Sequence, residues 1–254
     1  MNRKQLAIKA AKDVGKLLMN NFGKARKVRK KAKNSLVSDV DLKAEKIIEN
    51  LIKKHFPNDS ILSEEEASIT KKSGYKWVID PLDGTHNYLR NLPYFGVSIA
   101  LEHKKEVILG VINLPFFNEL YTAEKGRGAF MNNKRIRVSN RSLANAYINY
   151  DSNFHKESDR KTNIFSKLAR ETFQIRITGC AVINQTSVAN GNLDAHIAFG
   201  TNPWDIAAGF LLVREAGGKV TGINNEYISH YAKDFVASNG KLHDGILRLI
   251  KEQI

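Results

Sequence analysis

Residues 77–88, Trp-Val-Ile-Asp-Pro-Leu-Asp-Gly-Thr-His-Asn-Tyr, constrain this chain more than any other stretch. Trp77, Val78 and Ile79 read as the end of a buried strand. Pro81 has no N–H to give a neighbouring strand, so the ladder is expected to stop there. Gly84 permits a sharp turn, and Thr85 can begin a short helix. The strand end then presents two carboxylates, Asp80 and Asp83, followed at once by the N–H groups of a helix start. Carboxylate oxygens hold hard cations such as Mg²⁺, and N–H groups at a helix start hold phosphate. Metal beside phosphate is what a phosphoester-cleaving site needs. The same residues also make an ordinary turn, with Pro and Gly at favoured places. By themselves they favour the turn; it is the company they keep that shifts the balance.

Three further patterns accompany this one. An acidic pair follows an apolar strand in Ile61-Leu-Ser-Glu-Glu65. A Tyr-Thr-Ala-x-x-Gly-x-Gly-Ala-Phe run spans 121–130. Trp204-Asp-Ile-Ala-Ala-Gly209 precedes Glu215-Ala-Gly-Gly218. Together, in this order and over nearly the whole chain, the four motifs resemble the signatures of the inositol monophosphatase family, the lithium-sensitive, magnesium-dependent phosphatases. The resemblance is greatest to the bacterial inositol-1-monophosphatase branch.

Composition agrees with a soluble globular chain of 254 residues, 42% hydrophobic and 26% charged. One cysteine, Cys180, excludes an internal disulfide and suits a reducing cytoplasm. No apolar run approaches a membrane span, and Lys4, Lys9, Lys12 and Asp13 interrupt any signal-peptide core. The net charge of +14 is uneven: residues 1–33 hold twelve Lys/Arg and one Asp, hence +11, which leaves +3 for the rest. This segment would attract a polyanion, RNA in particular, or an acidic partner. The bland reading, a solvated helix face, comes first, since Phe22 is the segment's one aromatic residue for base stacking.

Apolar periodicity predicts helices over 6–22 and 39–56, then a strand at 60–62. The basic residues 24–35 are expected to be a mobile segment, and 67–76 a flexible hairpin beside the site. Strands are predicted at 97–101, 107–112, 120–123 and 135–138, separated by polar turns. The second half alternates: strand 146–150, helix 162–171, strand 174–178, helix 181–189, strand 195–198, helix 204–215, strands 219–220 and 235–238, helix 242–251. Such alternation suggests an α/β layer. The resemblance implies a single α/β (α+β) phosphatase domain over 1–254, a layered αβαβα sandwich that is usually a homodimer. Residues 1–140 would give the mainly antiparallel half with the metal site, and 141–254 the half that completes it.

The resemblance also implies a site. Glu64, Asp80, the Leu82 carbonyl, Asp83 and Asp205 would bind two or three Mg²⁺. All of these ligands are oxygen, without the His/Cys cluster that zinc favours. Thr85, linked to Asp41 in Val37-Ser-Asp-Val-Asp41, would orient the attacking water or accept its proton, with Glu64 as the other candidate base. Gly84 and Thr85 would cradle phosphate, Asp83 and Asp205 would border the substrate, and Arg176, Gly179, Cys180 and Ala181 match a family loop near the sugar. Lys33 resembles a family lysine near the site. One departure bears on substrate. Inositol-binding members carry a glutamate seven residues before the Trp-Asp aspartate, and here that position is Ala198. A lost polar contact changes discrimination but not the phosphatase chemistry. Inositol-1-phosphate therefore stands beside fructose-1,6-bisphosphate, histidinol phosphate and 3′-phosphonucleotides as a substrate. A regulatory protein that contacts RNA or the transcription machinery through the basic segment is the reading from another class. His86 and His196 could touch substrate, but a satisfied structural histidine is the expected reading for each.

Overall fold

The computed structural model describes residues 1–24, 28–32, 35–65, 68–150, 153–154 and 157–252; Lys33 lies outside them. Helix α1 (Arg3–Asn21) is capped by Asn2, whose side chain accepts from the Gln5 N–H while the Gln5 side chain accepts from the Asn2 N–H. This reciprocal pair satisfies two donors that a helix start leaves open. Val28–Ala32 (β1) and Ser35–Ser38 (β2) then pair antiparallel, where the sequence predicts a mobile segment. A ladder is held by backbone groups, so a run of lysines and arginines does not exclude it. Ser38 caps α2 (Asp39–His55): its hydroxyl accepts from the Val40 and Asp41 N–H groups, and Asp41 accepts from the Ser38 N–H at 2.9 Å.

A seven-stranded sheet follows, formed by β3 (Ser60–Ser63), β4 (Tyr75–Asp83), then after helix α3 (Thr85–Leu89) by β5 (Gly96–His103), β6 (Glu106–Leu114), β7 (Glu119–Glu124), β8 (Gly128–Met131) and β9 (Lys134–Arg135). The strands lie in sequence order. Only β3 and β4 are parallel; the other neighbours are antiparallel. Where a flexible hairpin is expected, Ile69 bridges Ile61 and Tyr75 already begins β4; Ala67 lies outside the described residues. Of the predicted strand 135–138 only the first residue is paired, through β9.

Strand β4 also differs from its prediction. It does not stop at Pro81 but continues to Asp83, with Asp80 opposite Ser98 and Asp83 opposite Gly96. Pro81 and Leu82 therefore share the single partner Val97. Such a bulge tolerates a proline, because the ladder is already broken there.

The second half supplies β10 (Tyr147–Tyr150), α4 (Ser158–Glu171), β11 (Gln174–Arg176), α5 (Ala181–Ala189), β12 (Ala195–Ala198), α6 (Pro203–Glu215), β13 (Lys219–Thr221), β14 (Phe235–Ser238) and α7 (His243–Lys251). Its five strands run in the order β11-β10-β12-β14-β13. Side chains alternate across each sheet, so each sheet buries two faces. Trp77, Ile79 and Ile99 pack on α1 and α2. Val78, Ala100 and Ile112 pack on α5 and α6, which also meet Ala198, Phe235 and Ala237 of the second sheet. Ile148 and Ile197 pack on α4 and α7. The result is five layers, α1/α2, sheet, α5/α6, sheet, α4/α7: the αβαβα sandwich expected.

Several motif residues serve this packing. The Trp77 indole N–H donates to Asp59, which also receives two bonds from the Arg3 guanidinium. A Cβ on Gly209 would lie 1.7 Å from Gln185 Oε1, so only glycine lets α6 approach α5 this closely. The Glu215 carboxylate accepts from the Gly126 and Gly128 N–H groups, both at 2.7 Å, which joins the motif at 121–130 to the one that ends at 218. Among the described residues no helix is long and apolar enough to cross a membrane.

Candidate active site

The bulge at the end of β4 turns a strand end into a site. Asp80 is buried, and one of its oxygens accepts from the Leu82 N–H at 3.0 Å. Asp83 reaches the start of α5, where it accepts from the Val182 N–H at 2.6 Å and the Cys180 thiol at 3.1 Å. Gly84 then stands at φ 84°, and a Cβ there would lie 2.5 Å from the Tyr94 carbonyl oxygen. Left-handed backbone and close approach together require glycine.

Thr85 opens α3. Its hydroxyl lies 3.0 Å from Asp41 and 3.0 Å from the Leu82 carbonyl, with one proton for the two acceptors. Asp41 is held from its other side by the N–H and the hydroxyl of Ser38. Burial pushes the Asp41 carboxyl above its ordinary value, against the pull of the Ser38 and Thr85 bonds. Asp205 sits in the first turn of α6, where it accepts from the Asn202 N–H at 2.8 Å. Burial and then the charge of Asp83 push it up to about 7. Asp80 is raised as well, first by burial and then by the charges of Glu64, Asp83 and Asp205.

The four carboxylates thus feel one another across one cleft. Among the described residues no three acidic, histidine or cysteine side chains already close into a ligand cluster. The hydrogen bonds explain this: Asp80, Asp83 and Asp205 are each turned toward a neighbouring N–H. The donor set nonetheless fits a hard divalent cation. It is built of carboxylate and carbonyl oxygen, and mutual repulsion in a buried place is what a cation relieves.

Beside these residues lies a cavity of about 250 Å³, with Asp83, Cys180, Asn184, His196, Ala198 and Asp205 in its wall. Gly179 and Ala181 also border it, as expected from the sequence. Burial and the charge of Asp83 raise the Cys180 thiol well above its usual range. It is therefore a neutral donor and not a nucleophile. Asn87 ties α3 to the same loop by donating to the Thr178 carbonyl at 2.9 Å. Arg176 is not brought here. It is exposed at the sheet edge, with its guanidinium 5.7 Å from the Tyr147 ring centroid. His86 is exposed on α3, whereas His196 lines the cavity within 3.4 Å of the Asn184 amide. Tyr150, Asn184, Thr201 and Asn202 also reach the cavity, and no sequence motif marks them.

Comparison with known proteins gives one consistent answer. The model of the inositol monophosphatase family matches residues 2–254. A fructose-1,6-bisphosphatase/inositol-1-monophosphatase of Thermotoga maritima is 37% identical over 262 residues, covering 100% of this chain and 98% of the relative. The Nus factor SuhB of Escherichia coli K12 is 35% identical over 255 residues, covering 98% and 96%. Among solved structures, the extragenic suppressor protein suhB of Bartonella henselae superposes with a TM-score of 0.96 at 35% identity, covering 98% of each chain.

Proposed function

Because the chain belongs to the inositol monophosphatase family, we propose that it is a magnesium-dependent phosphatase that hydrolyses a phosphate monoester of a sugar or polyol. The observation that carries this is the Thr85–Asp41 hydrogen bond, set on the bulge that also presents Asp80 and Asp83. Glu64, Asp80, the Leu82 carbonyl, Asp83 and Asp205 would hold the metal. Bound there, Mg²⁺ supplies charge neutralisation and a lowered pKa for water.

The chain's own residues do the rest. Asp41 accepts the Thr85 proton, which leaves a Thr85 lone pair to take one from the attacking water. The raised pKa of Asp41 suits it to end up holding that proton. Gly84 and Thr85 turn the backbone toward the phosphate. Water adds to phosphorus, the phosphorus–oxygen bond to the leaving alkoxide breaks, the alkoxide takes a proton from solvent, and the products are the alcohol and inorganic phosphate. Most of the acceleration comes from positioning and charge.

The sugar or polyol would enter the cavity beside Asp83. Ala198 offers its ring hydroxyls no side-chain acceptor there, which supports a substrate range broader than inositol-1-phosphate. The experiment is phosphate release from inositol-1-phosphate, fructose-1,6-bisphosphate, histidinol phosphate and 3′-phosphoadenosine 5′-phosphate, each with and without Mg²⁺. Metal-dependent release from at least one is expected; release from none, with folded protein, rejects the proposal.

A homodimer belongs to the same reading. Leu92, Tyr94 and Ile177 stand exposed beside the Asn87–Thr178 link, a surface that a second copy would cover. A second reading is regulatory, a contact to RNA or to the transcription machinery. Relatives named Nus factor SuhB and the +11 charge of residues 1–33 support it.

A further inference from the structure

A second recess of the described structure lies away from the cleft. It holds about 710 Å³ between α1, the 115–118 turn and the turn at 132–133, and shares no lining residue with the cavity beside Asp83. Lys12, Lys16 and Asn20 line it from α1, and Asn118, Asn132 and Asn133 from the opposite side. Among the described residues no acidic side chain lines it. Lys12 and Lys16 are exposed, and among the described residues neither forms an ion pair. The floor is fixed, since the Asn113 amide donates to the Ala11 carbonyl at 2.9 Å beneath Gly15. A Cβ on Gly15 would lie 2.2 Å from that amide nitrogen.

The fold also supplies what the basic N-terminal stretch lacks. Phe116 and Phe117 stand 44% and 42% exposed on the turn whose neighbours Pro115 and Asn118 line the recess. The Phe116 ring lies 5.6 Å from Phe22 at the end of α1 and 5.4 Å from Phe117. Unneutralised lysines and amide side chains in a recess, with exposed aromatic faces on the turn beside it, are the chemistry that holds a single strand of nucleic acid. A duplex keeps its bases stacked away from such rings.

We propose that this recess binds single-stranded RNA, with Lys12 and Lys16 on backbone phosphates and Phe116 and Phe117 against bases. The proposal rests on the regulatory reading and gives it a surface. Lys12 and Lys16 lie on α1, which carries five Lys/Arg against one Asp, so its charge complements a polyanion.

The test is fluorescence anisotropy of a labelled 12-nucleotide oligouridylate, titrated with the full chain over a range of salt. Binding that weakens with salt is expected. The Lys12→Gln/Lys16→Gln double variant should bind at least about tenfold more weakly, with the log–log salt slope reduced by about 1.4 for two lost phosphate contacts. Phe117→Ala should weaken binding by about fivefold or more. Unchanged melting temperatures show that the variants fold. A matched pair on α2, Lys46→Gln/Lys54→Gln, should bind like the unsubstituted chain. Equal loss in both lysine pairs overturns the recess as the site while leaving RNA binding itself in place. Equal affinity for duplex RNA of the same length overturns the stacking role. Binding of polyglutamate but not of RNA overturns the proposal in favour of an acidic protein partner. No binding of RNA or polyglutamate at low salt overturns both the recess and the regulatory reading.

Discussion

Thr85 and Asp83 stand two residues apart and can be separated by experiment. Thr85 touches Asp41 and the Leu82 carbonyl through one hydroxyl, so Thr85→Ala removes a proton path and little packing. Turnover is expected to fall by about 10²–10⁴-fold with a melting temperature close to the original. Activity within a few-fold of the unsubstituted enzyme would take the hydroxyl out of the mechanism. Asp83→Asn keeps an oxygen for the Val182 N–H, so the fold should hold while turnover is lost with the carboxylate's charge. A variant that retains most activity would remove Asp83 from the metal set. These residues were legible in the sequence because their chemistry is packed into one local pattern. Asn184 and Thr201 were not, and His196 was named without a place in the wall, because the cavity is assembled from α5, β12 and the loop before α6, and no spacing along the chain encodes their meeting. Arg176 shows the converse: a position near the right loop, carried to the sheet edge by the short strand β11.

At the scale of elements, one contact locks the two halves and another holds α7 to the second sheet, both without touching the cleft. Glu215 receives two backbone N–H bonds from the β7–β8 turn, and charge-assisted bonds of this kind are worth about 1.5–3 kcal/mol each. Glu215→Ala should lower the melting temperature while leaving turnover per folded molecule nearly unchanged; a selective loss of turnover would contradict this. His243 begins α7 and its ring lies 2.8 Å from both the Thr221 and Ser238 hydroxyls. Burial lowers its pKa to about 4 from an ordinary 6.5. The neutral ring therefore stabilises the fold fully above pH 6.5, and that stability is lost as pH falls toward 4, up to about 3 kcal/mol. The stability gap between the unsubstituted chain and His243→Asn should narrow over this window; a constant gap would sink the assignment. Helices and most strands were legible here, since periodicity records burial. The β1–β2 pair was not, because its ladder is backbone and its side chains carry no alternating apolar pattern.

For the whole molecule, the buried carboxylates set an opposite trend. Asp205 is raised to about 7 and Asp80 is raised as well. The folded state thus binds more protons than the unfolded one, and stability declines as pH rises from about 4 through 7. A cation among these groups removes that penalty. Added Mg²⁺ should therefore raise the melting temperature more at pH 8 than at pH 5, a difference the His243 effect cannot mimic because it is independent of metal. An equal or absent Mg²⁺ effect at both values would argue against a metal at the carboxylates. Li⁺ at high millimolar concentration should inhibit turnover in the presence of Mg²⁺, and unchanged turnover would reject that expectation.

Ser38 has one further consequence. It closes the ladder with β1, caps α2 and grips the carboxylate that is hydrogen-bonded to the Thr85 hydroxyl. An injury at this serine cannot be confined to rate or to folding. Among random variants, losses at Ser38 and Asp41 should always pair lower activity with lower abundance, whereas losses at Thr85 should spare abundance. Damage to the protein would thus sort into two inherited kinds, divided by one hydrogen bond.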